Sequence, residues 1–252
     1  MTAMDTLKRL AVFGVVSTVL LIGYPSLGYA DTAIETETAQ IGKKGDFGVS
    51  QAYEYARAKD GTSGGTLTQF EYALSDRFEI LVEPFFYTWE HAEDEEKVQG
   101  LGDLEITPSY EFVQENGWVP TILAAFKLKV PTGSERAGSS GKFDYMPYFI
   151  IGQHYGGWTF NANLGVNFVT PPDGEKKFSK TYTWALEAER EIAPDWTAFF
   201  EVFSTEDNVK TVSTALEYKL NEHFNAFGAA GYTEDKEAIF RLGINLEGSV
   251  GP

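Results

Sequence analysis

Apolar and polar residues alternate along most of this chain with a period of two. In "GGWTFNANLGVNFVT" (residues 156–170), Trp158, Phe160, Ala162, Leu164, Val166 and Phe168 share one parity, while Asn161, Asn163 and Asn167 fall on the other. A helix would spread its apolar stripe at a period near 3.6, whereas a strand turns successive side chains to opposite faces. The segment is therefore a strand with one apolar face and one amide-rich face. The same alternation predicts about twelve strands, over residues 46–57, 66–74, 78–90, 100–112, 118–130, 142–155, 158–170, 180–190, 196–204, 210–220, 224–233 and 237–247. Most of these are longer than the five or six residues usual in globular sheets, and they approach the roughly 9–11 that a tilted strand needs to cross a bilayer.

The connections fall into two classes. After the even strands they are brief: "SDR", "QENG", "GG", "APD" and "NE". After the odd strands they are longer and polar ("KDGTSGG", "HAEDEEKVQ", "TGSERAGSSG", "PPDGEKKFS"), shortening at the end to "EDN" and "EDK". This asymmetry predicts an all-β fold: a single antiparallel transmembrane β-barrel of about twelve strands, with short periplasmic turns and longer external loops. An even strand count puts both chain ends on the periplasmic side. Trp118, Trp158 and Trp196 open strands directly after short turns, and Trp89 and Trp184 lie towards the opposite rim. Aromatic rings at both strand ends are the girdles expected at two membrane interfaces. Pro84, Pro108, Pro120 and Pro147 fall on the lipid-facing parity, and because proline donates no ladder hydrogen bond, local bulges are expected there.

Parity then divides the side chains. Outward go Leu104, Ile106, Tyr110 and Phe112, and likewise Ile122, Phe126, Leu128 and Val130. The lumen-lining candidates are Glu54, Glu71, Glu79, Glu83, Asp103, Glu105, Glu111, Lys127, Lys129, Asp144, Asn161, Asn163, Glu187, Glu201 and Arg241. A hairpin closing at "QENG" with Phe112 opposite Trp118 would set Asp103 against Lys127, and the next loop would set Lys129 against Asp144. Crowded carboxylates in a narrow wet lumen favour cations over anions.

The first thirty residues read as a processing signal: Lys8 and Arg9, an apolar run over residues 10–23, then the small residues Gly28 and Ala30. The expected division is a signal peptide at 1–30, a short N-terminal periplasmic segment at 31–45 and the barrel at 46–252. Taking Asp5, Lys8 and Arg9 from 37 acidic and 20 basic residues leaves 36 and 18, a net charge of −18. Such a field opposes nucleic-acid binding. The expected partners are outer-membrane lipid and lipopolysaccharide, with a small-molecule solute. No cysteine is present, which removes disulfide and thiolate chemistry.

No cofactor, metal or catalytic residue is expected. The acidic run "HAEDEE" (91–96) lacks the spaced ligands of a calcium loop. An outer-membrane lipid hydrolase would need a histidine beside a nucleophile at a lipid-facing site, and His154 falls on the inward parity.

At "GLGDLEITPSYEF" (100–112), "LKVPTG" (128–133), "DYMPY" (144–148) and "GGWTFNANLGVNF" (156–168), the chain resembles an outer-membrane β-barrel family linked to the meta-pathway of phenol degradation. The resemblance implies a transporter or channel in the outer membrane, with hydrophobic or aromatic solutes by analogy. The chain departs from usual barrel patterns in ending "FRLGINLEGSVGP", without a terminal aromatic. It also has only about fifteen residues between the expected cleavage point and the first strand, too few for an N-terminal hatch of the long-chain fatty-acid-channel kind. The sequence therefore points to a channel for small solutes, with a closed structural barrel or loop-docking envelope protein as the alternative.

Overall fold

The computed structural model describes residues 34–84, 87–92, 96–134, 139, 141–170, 178–204 and 209–250. The expected leader at 1–30 and residues 93–95 of the acidic run lie outside the described residues. Every regular element among them is a β-strand: β1 (Asp46–Arg57), β2 (Gly61–Ser75), β3 (Phe78–Pro84), β4 (Tyr87–Ala92), β5 (Val98–Gly100), β6 (Leu104–Val113), β7 (Thr121–Val130), β8 (Asp144–Tyr155), β9 (Trp158–Val169), β10 (Ser179–Ala193), β11 (Trp196–Ser204), β12 (Lys210–Lys219), β13 (Phe224–Thr233) and β14 (Ala238–Ser249).

All of them join one antiparallel sheet, and β1 pairs with β2 on one side and β14 on the other, which closes the barrel. Closure leaves no edge, so backbone groups at hydrocarbon depth find partners within the wall. β3 and β4 pair with successive stretches of β2, while β6 pairs with β3 and β5 with β4. The third and fourth staves are thus each built from two segments, and the barrel has twelve staves.

Three local expectations change. "KDGTSGG" is not a long loop, because β2 already begins at Gly61 and Ala58–Asp60 is the whole connection. Its glycines relieve crowding in the wall: a Cβ added at Gly64 would lie 2.5 Å from the Glu54 carbonyl, and one at Gly65 2.7 Å from the Tyr87 carbonyl.

The β6–β7 hairpin closes further out than Phe112 against Trp118. Glu105 pairs with Lys129, the register shifts between Glu111 and Val113, and an isolated bridge joins Asn116 to Val119. Asp103 therefore does not face Lys127. Pro120 cannot donate to the ladder, so β7 starts after it.

The prolines do not bring bulges. Pairing is skipped around Thr107–Pro108 and Met146–Pro147 with the register unchanged on either side, and Pro84 and Pro120 sit at strand ends. The register shifts lie instead at Ala73/Ser75, Glu111/Val113 and Glu191/Ala193.

One of the two-residue connections is Gly156–Gly157, with φ of 60° and 80°, which is the left-handed pair such a hairpin turn demands. The outer face is apolar: Phe126, Phe149, Phe160, Leu164, Phe200 and Leu242 are exposed. The inner face is mixed. Beside Asn161, Asn163, Asn167, Glu187 and Glu201 it buries two apolar clusters, one of Ile34, Ala185, Phe199, Phe203, Ala215 and Ala229, the other of Ala39, Leu123, Ala125, Tyr148 and Ile150. Each cluster contains a residue from before the first strand.

Candidate functional site: the lumen and the segment within it

Residues 34–42 run along the inside of the barrel, where a periplasmic segment had been expected. They enter beside the short turns, where the N–H of Lys44 donates to Asp76 Oδ1 at 2.8 Å. They climb past His154, beside the β8–β9 turn, to reach Glu201 in mid-strand.

The wall holds this segment largely by its backbone. The Glu201 carboxylate accepts the N–H groups of Ile34 (3.2 Å), Glu35 (2.9 Å) and Thr36 (2.5 Å), together with the hydroxyls of Thr36 and Ser213. Asn163, with its carboxamide turned to suit both partners, donates to the Glu37 carbonyl at 2.9 Å and accepts the Glu37 N–H at 2.7 Å. Asn161 Oδ1 accepts the N–H of Ala39 at 3.1 Å, and its Nδ2 donates to Glu187 at 3.0 Å. Glu79 accepts the N–H of Gly42. Because strand side chains on one face recur every second residue, Asn161 and Asn163 meet alternate residues of an extended partner. That is why amides stand at positions 161 and 163 of this strand.

Side chains of the segment complete the fit. Glu37 accepts the Tyr148 hydroxyl and lies 3.7 Å from Lys127 Nζ, which is also 3.4 Å from both Glu83 and Glu105. Ala39 packs where β8 has Gly152, and a Cβ built on that glycine would come 2.4 Å from the Ala39 methyl. Ile34 sits among Phe199, Phe203 and Ala229. Burying one such side chain contributes about 1.5–3 kcal/mol. Gln40 Nε2 meets His154 Nε2 at 3.0 Å, and His154 Nδ1 meets Glu115 at 2.6 Å. The histidine thus has a carboxylate on one ring nitrogen and an amide on the other, where a hydrolase would place its nucleophile. Between the segment and the wall, a cavity of about 30 Å³ is bordered by Glu35, Glu37, Lys127, Tyr148 and Asn163. That space is enough for water.

The other lumen candidates serve the wall and loops. Arg241 binds Glu54 through Nη2 at 2.6 Å and Nε at 3.1 Å, across the β1–β14 seam. Gln69 donates to Glu83 at 3.1 Å, and Arg77 lies 3.9 Å from Glu111. Lys129 stands opposite Asp144 in register, as expected, while its ammonium lies 3.7 Å from Asp103. Asp103 also accepts Gly133 N–H and the Ser139 hydroxyl, and Asp144 accepts the N–H of Thr170, so both fasten loop ends. Glu71 faces Leu81 and Gly48 across the ladders.

Of the tryptophans, Trp158 and Trp196 are the first residues of their strands, Trp118 projects from the β6–β7 connection, and Trp184 pairs with the last residue of β11. Trp89 packs on Tyr55. Parity did not mark Tyr148, Gly152, Ser213 or Glu37 as functional. The readable signal was Leu123, Ile150, Phe199 and Phe203 on the inward parity, since a water-filled lumen has no use for such a lining.

The family model described as "Putative MetA-pathway of phenol degradation" matches residues 30–248. The chain belongs to this family. Its barrel is similar to the COG4313 outer membrane channel from Pseudomonas putida F1, at 11% identity and TM-score 0.67, covering 87% of this chain and 100% of that one. It is also similar to the NanC porin, at 11% identity and TM-score 0.58 over 79% of this chain and 98% of that one. The KdgM porin in complex with disordered oligogalacturonate follows at 18% identity and TM-score 0.55, with the same coverage. These likenesses establish the outer-membrane barrel fold for this member of the family. Among curated proteins none matches the chain.

Proposed function

We propose that this protein is an outer-membrane channel for small solutes, exported by a signal peptide ending at Ala30, whose own residues 34–42 occupy the passage and regulate it. The observation that carries this reading is the mode of attachment. The segment is held by side chains of the lumen, and the ladder that closes the barrel runs through β1–β14 without it. The wall can therefore persist when the segment leaves. An opened lumen would present Glu37's former partners together with Glu83, Glu105, Glu187 and Glu201, a lining that disfavours anions. Aromatic solutes follow only from the family's description.

The apolar clusters that Ile34 and Ala39 complete inside the lumen favour a second reading, a permanently closed barrel with a structural role. Single-channel recording of the refolded protein in a planar bilayer under a potassium chloride gradient separates the two. The channel reading expects rare, cation-selective openings that become frequent when residues 34–41 are deleted. Silence from both proteins, shown to be folded, would leave the structural reading.

A further inference from the structure

We propose that the lumen contains a peptide-binding site, and that short extended peptides carrying an acidic side chain compete with residues 34–40 for it. The inference rests on the reading that the segment can leave, and it names the ligand class the vacated site would select.

The contacts read peptide bonds rather than a particular surface. Asn163 gives Glu37 the donor and acceptor pair that a neighbouring strand would give. Asn161 takes the N–H two residues on, and Glu201 takes three consecutive N–H groups. Side-chain contacts accompany this: an apolar residue at the Ile34 position, the Thr36 hydroxyl on Glu201, a carboxylate at Glu37 for Lys127 and Tyr148, a small residue at Ala39 against Gly152, and Gln40 beside His154. Asn161 and Glu201 are 3% and 2% exposed. A hydrocarbon in the segment's place would leave Asn161 Oδ1 without its donor and Glu201 with only the Ser213 hydroxyl. A phenol would return a single O–H where the segment gives a row of N–H groups, and a site built to hydrogen-bond discriminates against such guests. An extended peptide restores the main-chain bonds. Most of the recognition lies in the main chain, so the class is set by amide groups and one acid, with little dependence on the remaining side chains.

The test titrates a fluorescent peptide, Ile-Glu-Thr-Glu-Thr-Ala-Gln, into the refolded variant lacking residues 34–41 in detergent, reading anisotropy. Saturable binding is expected. Methylating the amide nitrogens that match Glu37 and Ala39 should weaken it by about tenfold or more, and phenol at equal concentration should not displace it. Absent binding, indifference to methylation, or displacement by phenol would overturn the proposal.

Should the deletion fail to fold, full-length Gly152→Ala carries the same question, because its new methyl collides with Ala39. That variant should bind the peptide with glycine at the Ala39 position about tenfold more tightly than the alanine peptide. Equal affinity would overturn the site. Anisotropy does not require conduction, so a silent bilayer with a binding peptide would reject the channel reading alone.

Discussion

The two sides of this lumen use their polar residues differently. On the β1–β14–β2 side, wall meets wall: Glu54 with Arg241, Thr68 with Gln51 at 2.8 Å, Gln69 with Glu83. On the β8–β12 side, wall meets segment: Glu201, Asn163 and Asn161 turn to the backbone of residues 34–39. Both sides pair most of these buried groups, although Thr107 Oγ1 on β6 and Asn167 Nδ2 on β9 have no hydrogen-bond partner among the described residues. Their partners differ in freedom. Arg241 is fixed by the register of two paired strands, whereas Ile34 meets the wall through the Glu201 carboxylate and apolar packing and belongs to no strand of the ladder. One side braces and the other can release.

Removing the releasable partner should have the largest effect. Deleting residues 34–41 is expected to turn a mostly closed barrel into an open one while the heat-stable folded form survives. Loss of the folded barrel in a heat-shift gel would show that the segment braces as well. Glu201→Gln comes next. Hydrogen bonds to a charged group contribute about 1.5–3 kcal/mol and neutral ones about 0.5–1.5. Neutralising the acceptor of three N–H groups should therefore cost the closed state roughly 3 kcal/mol and raise the open fraction by about 100-fold. Unchanged open probability would place the holding energy elsewhere, in Lys127 or the apolar contacts. Arg241→Met should act on the other axis. It leaves Glu54 partly buried without its partner, which for fully buried pairs costs about 3–5 kcal/mol and here, with partial exposure, about 2. Denaturant unfolding should register the loss, and open probability should not move.

The strands were legible because the period-two pattern continues through stave after stave, and any slip by one residue would turn apolar side chains into the lumen. Where the pattern was interrupted, prediction failed for identifiable reasons. Gly61–Gly65 look like a turn in composition but are strand residues kept small by the Glu54 and Tyr87 carbonyls. The Asp103–Lys127 pair depended on a hairpin register that Pro120 and one bulge displaced. Parity proposed the inward candidates, but it carried no signal for what they bind. "IETETAQIG" carries no periodic signature of its own, because its backbone is satisfied by scattered side chains from β3, β9 and β11 that no local window brings together. The inward Leu123, Ile150, Phe199 and Phe203 alone hinted that something must cover them.

The smallest effect is expected at the exposed loop end where β12 begins. Lys210 donates to Glu234 through its N–H at 3.1 Å and its ammonium at 3.3 Å, with the two side chains 62% and 45% exposed. The Lys210 N–H, foremost, and then its side chain hold the Glu234 carboxyl below its ordinary value. A depressed carboxyl stabilises the fold above the ordinary value of 4.5 and loses that contribution as pH falls through its lowered value. Lys210→Ala keeps the backbone donor, so a carbon-13 NMR titration should still find Glu234 titrating low. An exposed pair of this kind is screened by solvent, and unfolding and open probability at neutral pH should match the parent. If Lys210→Ala instead opened the channel, the loop end would be coupled to residues 34–42. Release could then no longer be assigned to the β8–β12 wall alone.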